Sequence, residues 1–359
     1  MLIVLEPSAK CLADWPTGRG NWSATGAISD QLPDQLQLLW EARVDGLGFE
    51  AGAVIADRRV FCADADGRIL AFDLDNGKEL WRVELDTVFV ASPLVDAGML
   101  FLGDYQGVVR ALDAKNGQLK WEVELGMEID ASPTPLDDKL LVTSQDGALY
   151  CLRRADGSQV WKYETGDQLR CGATIVGNQT FLGGCDSRLH CVDLSNGSPI
   201  GMPIPIDAPT GSTPAASLGH IFLPTHGGDI FAIDAQYQKV KWKFHDDSLA
   251  QEFENSVAVA DGLIVAASRM RHVFALDQDS GQVRWQTTLR KRADASPVVS
   301  GDKVLVCGAD GRLIMLDLHS GKEIWIFEVR GGFIASPAVS DGRVIALSDK
   351  GGIFCFGTR

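Results

Sequence analysis

Short apolar runs separated by glycine-containing turns recur along this chain at a fixed spacing. After Trp81 the runs are VASPLV (residues 90–95), MLFLGD (99–104), VVRALDA (108–114) and LKWEVEL (119–125), with turns at 96–98, 106–107 and 116–117. Runs of this length and content, bounded by such turns, predict four antiparallel strands joined by hairpins. The inner runs are apolar on both faces, the pattern of a sheet covered on each side by another sheet. No stretch carries a useful helical period.

The unit repeats. Its closing phrase reads AFDLDNGKELW (71–81), ALDAKNGQLKW (111–121), CLRRADGSQVW (151–161), ALDQDSGQVRW (275–285) and MLDLHSGKEIW (315–325), with two degraded copies at 191–201 and 232–242. The last residues of the seven copies, 81, 121, 161, 201, 242, 285 and 325, are 40, 40, 40, 41, 43 and 40 apart. A four-stranded unit of this period that cannot bury its own faces predicts a β-propeller. An eighth unit begins at Ala335 and stops without its outer strand, while LQLLWEARVD (36–45) carries Trp40 and lacks the three strands that should precede it. Pairing this early strand into the last sheet closes an all-β, eight-bladed ring with no free seam. Two domains are expected from length alone, yet no linker interrupts the repeats, so residues 36–359 form one domain behind an N-terminal extension, 1–35.

The closing phrase resembles the tryptophan docking motif of the quinoprotein, or PQQ-like, propellers, A-x-D-x-x-[TNS]-G-K-E-x-W. Residues 71–81 match every defined position and 315–325 all but the first. The segment DWPTGRGNW (14–22) is similar to the W-P-x-x-R-G stretch that opens such proteins. The resemblance implies structural roles for Trp40, Trp81, Trp121, Trp161, Trp242, Trp285 and Trp325, each ring packing on the next blade and each indole N–H needing an acceptor. It also offers two functions. One branch of the family comprises dehydrogenases that hold pyrroloquinoline quinone and calcium; the other comprises non-catalytic, eight-bladed BamB-like assembly proteins.

In the quinone branch the resemblance implies adjacent cysteines in a disulfide, calcium-binding carboxylates and an aspartate base carried on long insertions. None of the eight cysteines adjoins another, and the largest departure from period is three residues, in the linker 245–256. The expected reading is therefore a non-catalytic scaffold that binds a protein or peptide segment, with no catalytic, cofactor or metal residue assigned; the alternative is a PQQ- and calcium-dependent dehydrogenase or redox sensor. The aspartates of 64–67 and 73–77 resemble pieces of calcium loops, but they fall where hairpin turns are due and no bidentate Glu completes either series. His190, His220, His226, His245, His272 and His319 lack zinc spacing.

Alignment of the repeats places Glu50, Val90, Asp130, Arg170, Gly211, Glu254, Asp294 and Ile334 where the linkers enter the inner strands. One residue earlier stand Phe49, Phe89, Ile129, Leu169, Thr210, Phe253, Ala293 and Phe333. The candidate binding residues at the channel mouth are accordingly Phe49, Glu50, Phe89, Asp130, Arg170, Phe253, Glu254, Asp294 and Phe333, as aromatic anchors with charged register points. The competing reading makes the apolar set packing and the carboxylates solvated lining, or, as a third class, the carboxylates of a hydrolase. Gly201 replaces the closing Trp in the fourth blade, among prolines at 199, 203, 205 and 209; this is either a recess beside blade five or decay of an exposed strand.

With 33 basic against 48 acidic residues, net charge −15, the chain has no basic stripe for nucleic acid, and any charged partner is expected to be cationic. No run reaches membrane-spanning length. Unpaired cysteines behind a short apolar run at 2–5 suggest a reducing, cytoplasmic setting for a monomer; a start upstream of Met1 would make it periplasmic or exported. Cys151, Cys191 and Cys355 share a repeat slot with Ala71, Ala111, Ala232 and Ala275, where a thiol serves as a small hydrophobe.

Overall fold

The computed structural model describes residues 14–248 and 251–358; Cys11 and residues 2–5 lie outside them. Eight four-stranded antiparallel blades form a ring, and no helix is present among the described residues. Blade one comprises Val54–Ala56, Arg59–Ala63, Arg68–Asp73 and Glu79–Glu84 from channel to rim. Blades two to seven repeat this order, their inner strands being Leu94–Asp96, Thr134–Leu136, Thr174–Val176, Ala215–Ser217, Ala258–Ala260 and Val298–Ser300. Blade eight takes its first three strands from Ala338–Ser340, Arg343–Leu347 and Gly352–Gly357 and its outer strand from Gln37–Arg43. Trp40 pairs with Cys355 and Arg43 with Gly352, so the expected closure is the one observed.

The core consists of layers between blades, in which the second and third strands are buried almost throughout. Six closing strands lay an indole over the turn of the next blade. Trp40 Nε1 donates to Leu74 O (2.8 Å), Trp121 to Arg154 O (2.9 Å) and Trp285 to Leu318 O (2.7 Å). The ring covers a turn glycine held at positive φ: a Cβ on Gly77 would stand 2.5 Å from Trp40, so only glycine allows the contact. Trp325 Nε1 has no such acceptor among the described residues. Its ring packs instead edge-on against Phe356, with centroids 5.4 Å apart.

In blade four the outer strand shrinks to Ile204–Pro205, as its prolines dictate. The place beside Gly201 is filled: Gln238 Oε1 lies 2.4 Å from where a Cβ on Gly201 would be. The aspartate loops are turns. Asp64 Oδ1 accepts from the amides of Asp66 and Arg68, and Asp73 Oδ1 from those of Asp75 and Asn76. Cys62, Cys151, Cys171, Cys191, Cys307 and Cys355 are buried free thiols, and burial pushes Cys171 and Cys191 up to about 12.

Residues 15–30 run around the inside of the ring. Trp15 exchanges two backbone hydrogen bonds with Ile55 of blade one, and Val95 of blade two donates to Pro16 O (2.8 Å). After a turn across the channel the segment rejoins the wall. Ala216, Val259 and Val299 of blades five to seven donate to Ser23, Thr25 and Gly26, at 2.8, 2.8 and 2.9 Å. Ala27–Ile28 adds a short parallel strand to blade seven, and Asp341 N of blade eight donates to Asp30 Oδ2 (2.8 Å). Ile55, Val95, Ala216, Val259 and Val299 occupy one repeat slot, on the free edge of the inner strand of each blade. In blade three that slot holds Pro135, which has no N–H to give, and there the segment leaves the wall.

Candidate functional site: a blind funnel at the channel mouth

The segment 15–30 closes one end of the channel and leaves a funnel of about 320 Å³ open at the other. Its wall comes from the entry to each inner strand and its floor from residues 17–24. Of the sequence candidates, Glu50, Asp130, Arg170 and Asp294 line the funnel, together with Val90, Gly211 and Ile334 from the same repeat position. Glu254 stands outside the lining, exposed and paired with Arg269 (2.5 Å).

The aromatic set requires correction. Phe49, Phe89, Phe253 and Phe333 are each 0% exposed and belong to the layers between blades, Phe253 edge-on to Phe274 and Phe333 to Phe354. The reason is strand parity: successive side chains point to opposite sides, so if position 50 faces the channel, position 49 faces the neighbouring blade. No partner reaches these rings in the folded protein. They are packing, and the mouth is polar.

Around the wall, just before each aligned inner-strand position, runs a belt of small residues: Gly52, Ser92, Ser132, Gly172, Thr213, Ser256, Ser296 and Ser336. Hydroxyls in this belt latch adjacent blades. Gly172 N donates to Thr213 Oγ1 (2.9 Å), Thr213 N to Ser256 Oγ (2.9 Å), Ser256 N to Ser296 Oγ (3.1 Å) and Ser296 N to Ser336 Oγ (3.0 Å). The sequence signal is the Ala-Ser-Pro triplet, present at 91–93, 131–133, 295–297 and 335–337.

Sequence reasoning also missed Arg19. Its Nη2 donates to Val257 O (2.8 Å) and Pro297 O (3.3 Å), and its Nη1 to Pro297 O (3.3 Å), anchoring the crossing turn to blades six and seven. The guanidinium is surrounded by protein yet lines the funnel, and burial lowers its pKa to about 10. Above it the charges are uneven. On the side of blades six and seven, Asp294 is paired with Arg292 (2.8 Å) and Arg269 (3.5 Å). At the entries to blades one and three the charges are freer: Glu50 has no ion pair among the described residues, and Asp130 holds Gln145 (2.8 Å) with Arg170 only at 4.0 Å. Burial pushes the Asp130 carboxyl above its ordinary value.

Among the described residues no group of three or more His, Cys, Asp or Glu side chains is placed to hold a metal ion, and no two cysteines are adjacent in the sequence.

The fold and the funnel place the chain among eight-bladed propellers of the PQQ-like kind. It belongs to the family described as outer membrane protein assembly factor BamB, whose model matches residues 14–244 and 269–358. Among solved structures it is similar to BamB from Moraxella catarrhalis, with 20% identity, TM-score 0.77, and 90% of this chain and 98% of that one covered. It is similar too to the quinohemoprotein alcohol dehydrogenase of Comamonas testosteroni, with 14% identity, TM-score 0.83 and coverage of 96% and 80%. The computationally designed protein Ika8 matches at 13% identity, TM-score 0.77 and coverage of 88% and 98%. Identities this low establish a shared fold and nothing of chemistry. No curated protein matches the chain.

Proposed function

We propose that this propeller is a non-catalytic platform that binds a protein or peptide segment at the funnel mouth. The observation that carries it is the asymmetry of the channel: one end is closed by backbone pairing, while the other presents charged side chains over an open polar cavity. Recognition needs side chains held on rigid strands, and each charged group here sits at the entry to one. The family description, an assembly factor, agrees with a role in holding other proteins. An unpaired Glu50 and a weakly paired Asp130 favour a cationic segment, since complementary charge sets orientation and encounter.

A photo-crosslinking side chain placed at position 50, compared with one at the exposed Leu80 on the outer strand of blade one, tests this in the native cell. Discrete crosslinked partners at position 50 and none at position 80 are expected. Equal labelling at the two positions would end the proposal.

A further inference from the structure

We propose that the funnel receives the C-terminal carboxylate of a peptide whose last side chain is basic, Arg19 and the hydroxyl belt taking the carboxylate, Glu50 and Asp130 the cation. The inference deepens the platform reading and rests on it.

Three observations converge. First, Arg19 is a cation without a counter-ion: its hydrogen-bond acceptors are two backbone carbonyls, and no carboxylate oxygen lies within 4.0 Å of it among the described residues. Its Nε–H is buried and has no acceptor among the described residues. Charges enclosed by protein are ordinarily paired, and a guanidinium is shaped for the two oxygens of a carboxylate. Second, Thr213, Ser256, Ser296 and Ser336 spend their oxygens accepting backbone N–H bonds from the neighbouring blade. Each hydroxyl proton then remains to be donated. These donors stand on blades five to eight, the side on which Arg19 is anchored, and Asp294 above them is already neutralised by two arginines. At the entries to blades one and three, Glu50 and Asp130 offer acceptors, and Asp130 Oδ1 is buried with no donor among the described residues. The cavity thus presents both donors and acceptors, and its ligand carries both signs.

Third, the floor decides which part of a chain enters. With residues 15–30 closing the far end, nothing threads through, so a peptide presents an end. An amino terminus would set like charge against Arg19, whereas a carboxyl terminus satisfies it. The volume, about 320 Å³, suits a chain end and not a folded segment.

The test is fluorescence anisotropy with the intact protein and a dye-labelled, acetylated hexapeptide ending in a free lysine carboxylate. Amidation of that carboxylate is expected to weaken binding by about tenfold or more, the worth of a charge-assisted hydrogen bond. Glu50→Gln with Asp130→Asn is expected to weaken the lysine-ended peptide while leaving an alanine-ended one unchanged. Arg19→Gln is expected to abolish the preference for carboxylate over amide. Where Arg19→Gln fails to fold, judged by its urea midpoint, Ser296→Ala with Ser336→Ala replaces it and is expected to reduce the same preference. Equal affinity for carboxylate and amide overturns the inference, and so does free lysine competing as well as the peptide, which would make the funnel an amino-acid pocket. Crosslinking at position 50 with no carboxylate preference would leave the platform standing and this inference refuted; preference without crosslinked partners would overturn the platform and, with it, the inference.

Discussion

The two ends of the channel are built from different materials. At the floor, residues 15–30 are held through main-chain groups: Ile55, Val95, Ala216, Val259 and Val299 donate their N–H regardless of side chain. At the mouth, Glu50, Asp130, Arg170 and Asp294 differ from blade to blade at one repeated position. A ring of nearly equivalent blades thus keeps its shape through what the blades share and its selectivity through what they do not. Disrupting the floor should cost stability; altering the mouth should alter what binds and leave stability nearly untouched.

The sharpest way to break that contrast is Gly26→Val. Gly26 has φ near +60°, and a Cβ there would lie 1.9 Å from Arg19 Nη2, so the substitution strains the backbone and expels the arginine together. A loss of about 3 kcal/mol in urea unfolding is expected, from the left-handed strain and the forfeited charge-assisted bonds. An unchanged midpoint would show that the floor segment contributes nothing to the ring. An intermediate effect belongs to the wall. Trp81→Phe forfeits an indole bond to Ala114 O (3.1 Å), whereas Trp325→Phe forfeits none, so the first should cost about 1 kcal/mol more than the second. Equal costs would assign the indoles to packing alone.

The smallest effect is expected at the mouth. Asp130→Asn should change stability by no more than about 0.5 kcal/mol, because the carboxyl is half-buried at an open mouth and only weakly paired, and its sign depends on pH. Burial raises the folded-state pKa of Asp130 above that of the unfolded chain, so its ionised form costs stability at neutral pH. That cost disappears as pH falls through the raised value. The variant should therefore melt slightly above the native protein at pH 7, and the gap should close on acidification. A gap that widens on acidification would mean that the charge is stabilised by Arg170.

Periodicity carried most of the architecture, because eight inter-blade layers force the same apolar positions to recur every forty residues or so. The ring count and the pairing of Gln37–Arg43 with Gly352–Gly357 follow from where that period is missing a strand. The charged lining was legible for the same reason. The aromatic collar was not: Phe89 and Val90 are neighbours in sequence, and without the pleat in view either parity was open. The floor left still less trace, since carbonyl acceptors impose no residue type. Its one written mark is Pro135, the only inner-strand edge position that could not have donated, and its meaning is plain only once the segment is seen to leave the wall there. Arg19 was equally silent, a single basic residue in a short opening phrase.

One consequence of the closure concerns synthesis. The strand that completes the last sheet is made near the beginning, and its partner near the end, some three hundred residues later. At ordinary elongation rates Gln37–Arg43 waits on the order of half a minute before Gly352–Gly357 leaves the ribosome. For that interval a hydrophobic strand with unsatisfied edges travels in the open, so the nascent chain is where protection against aggregation matters most.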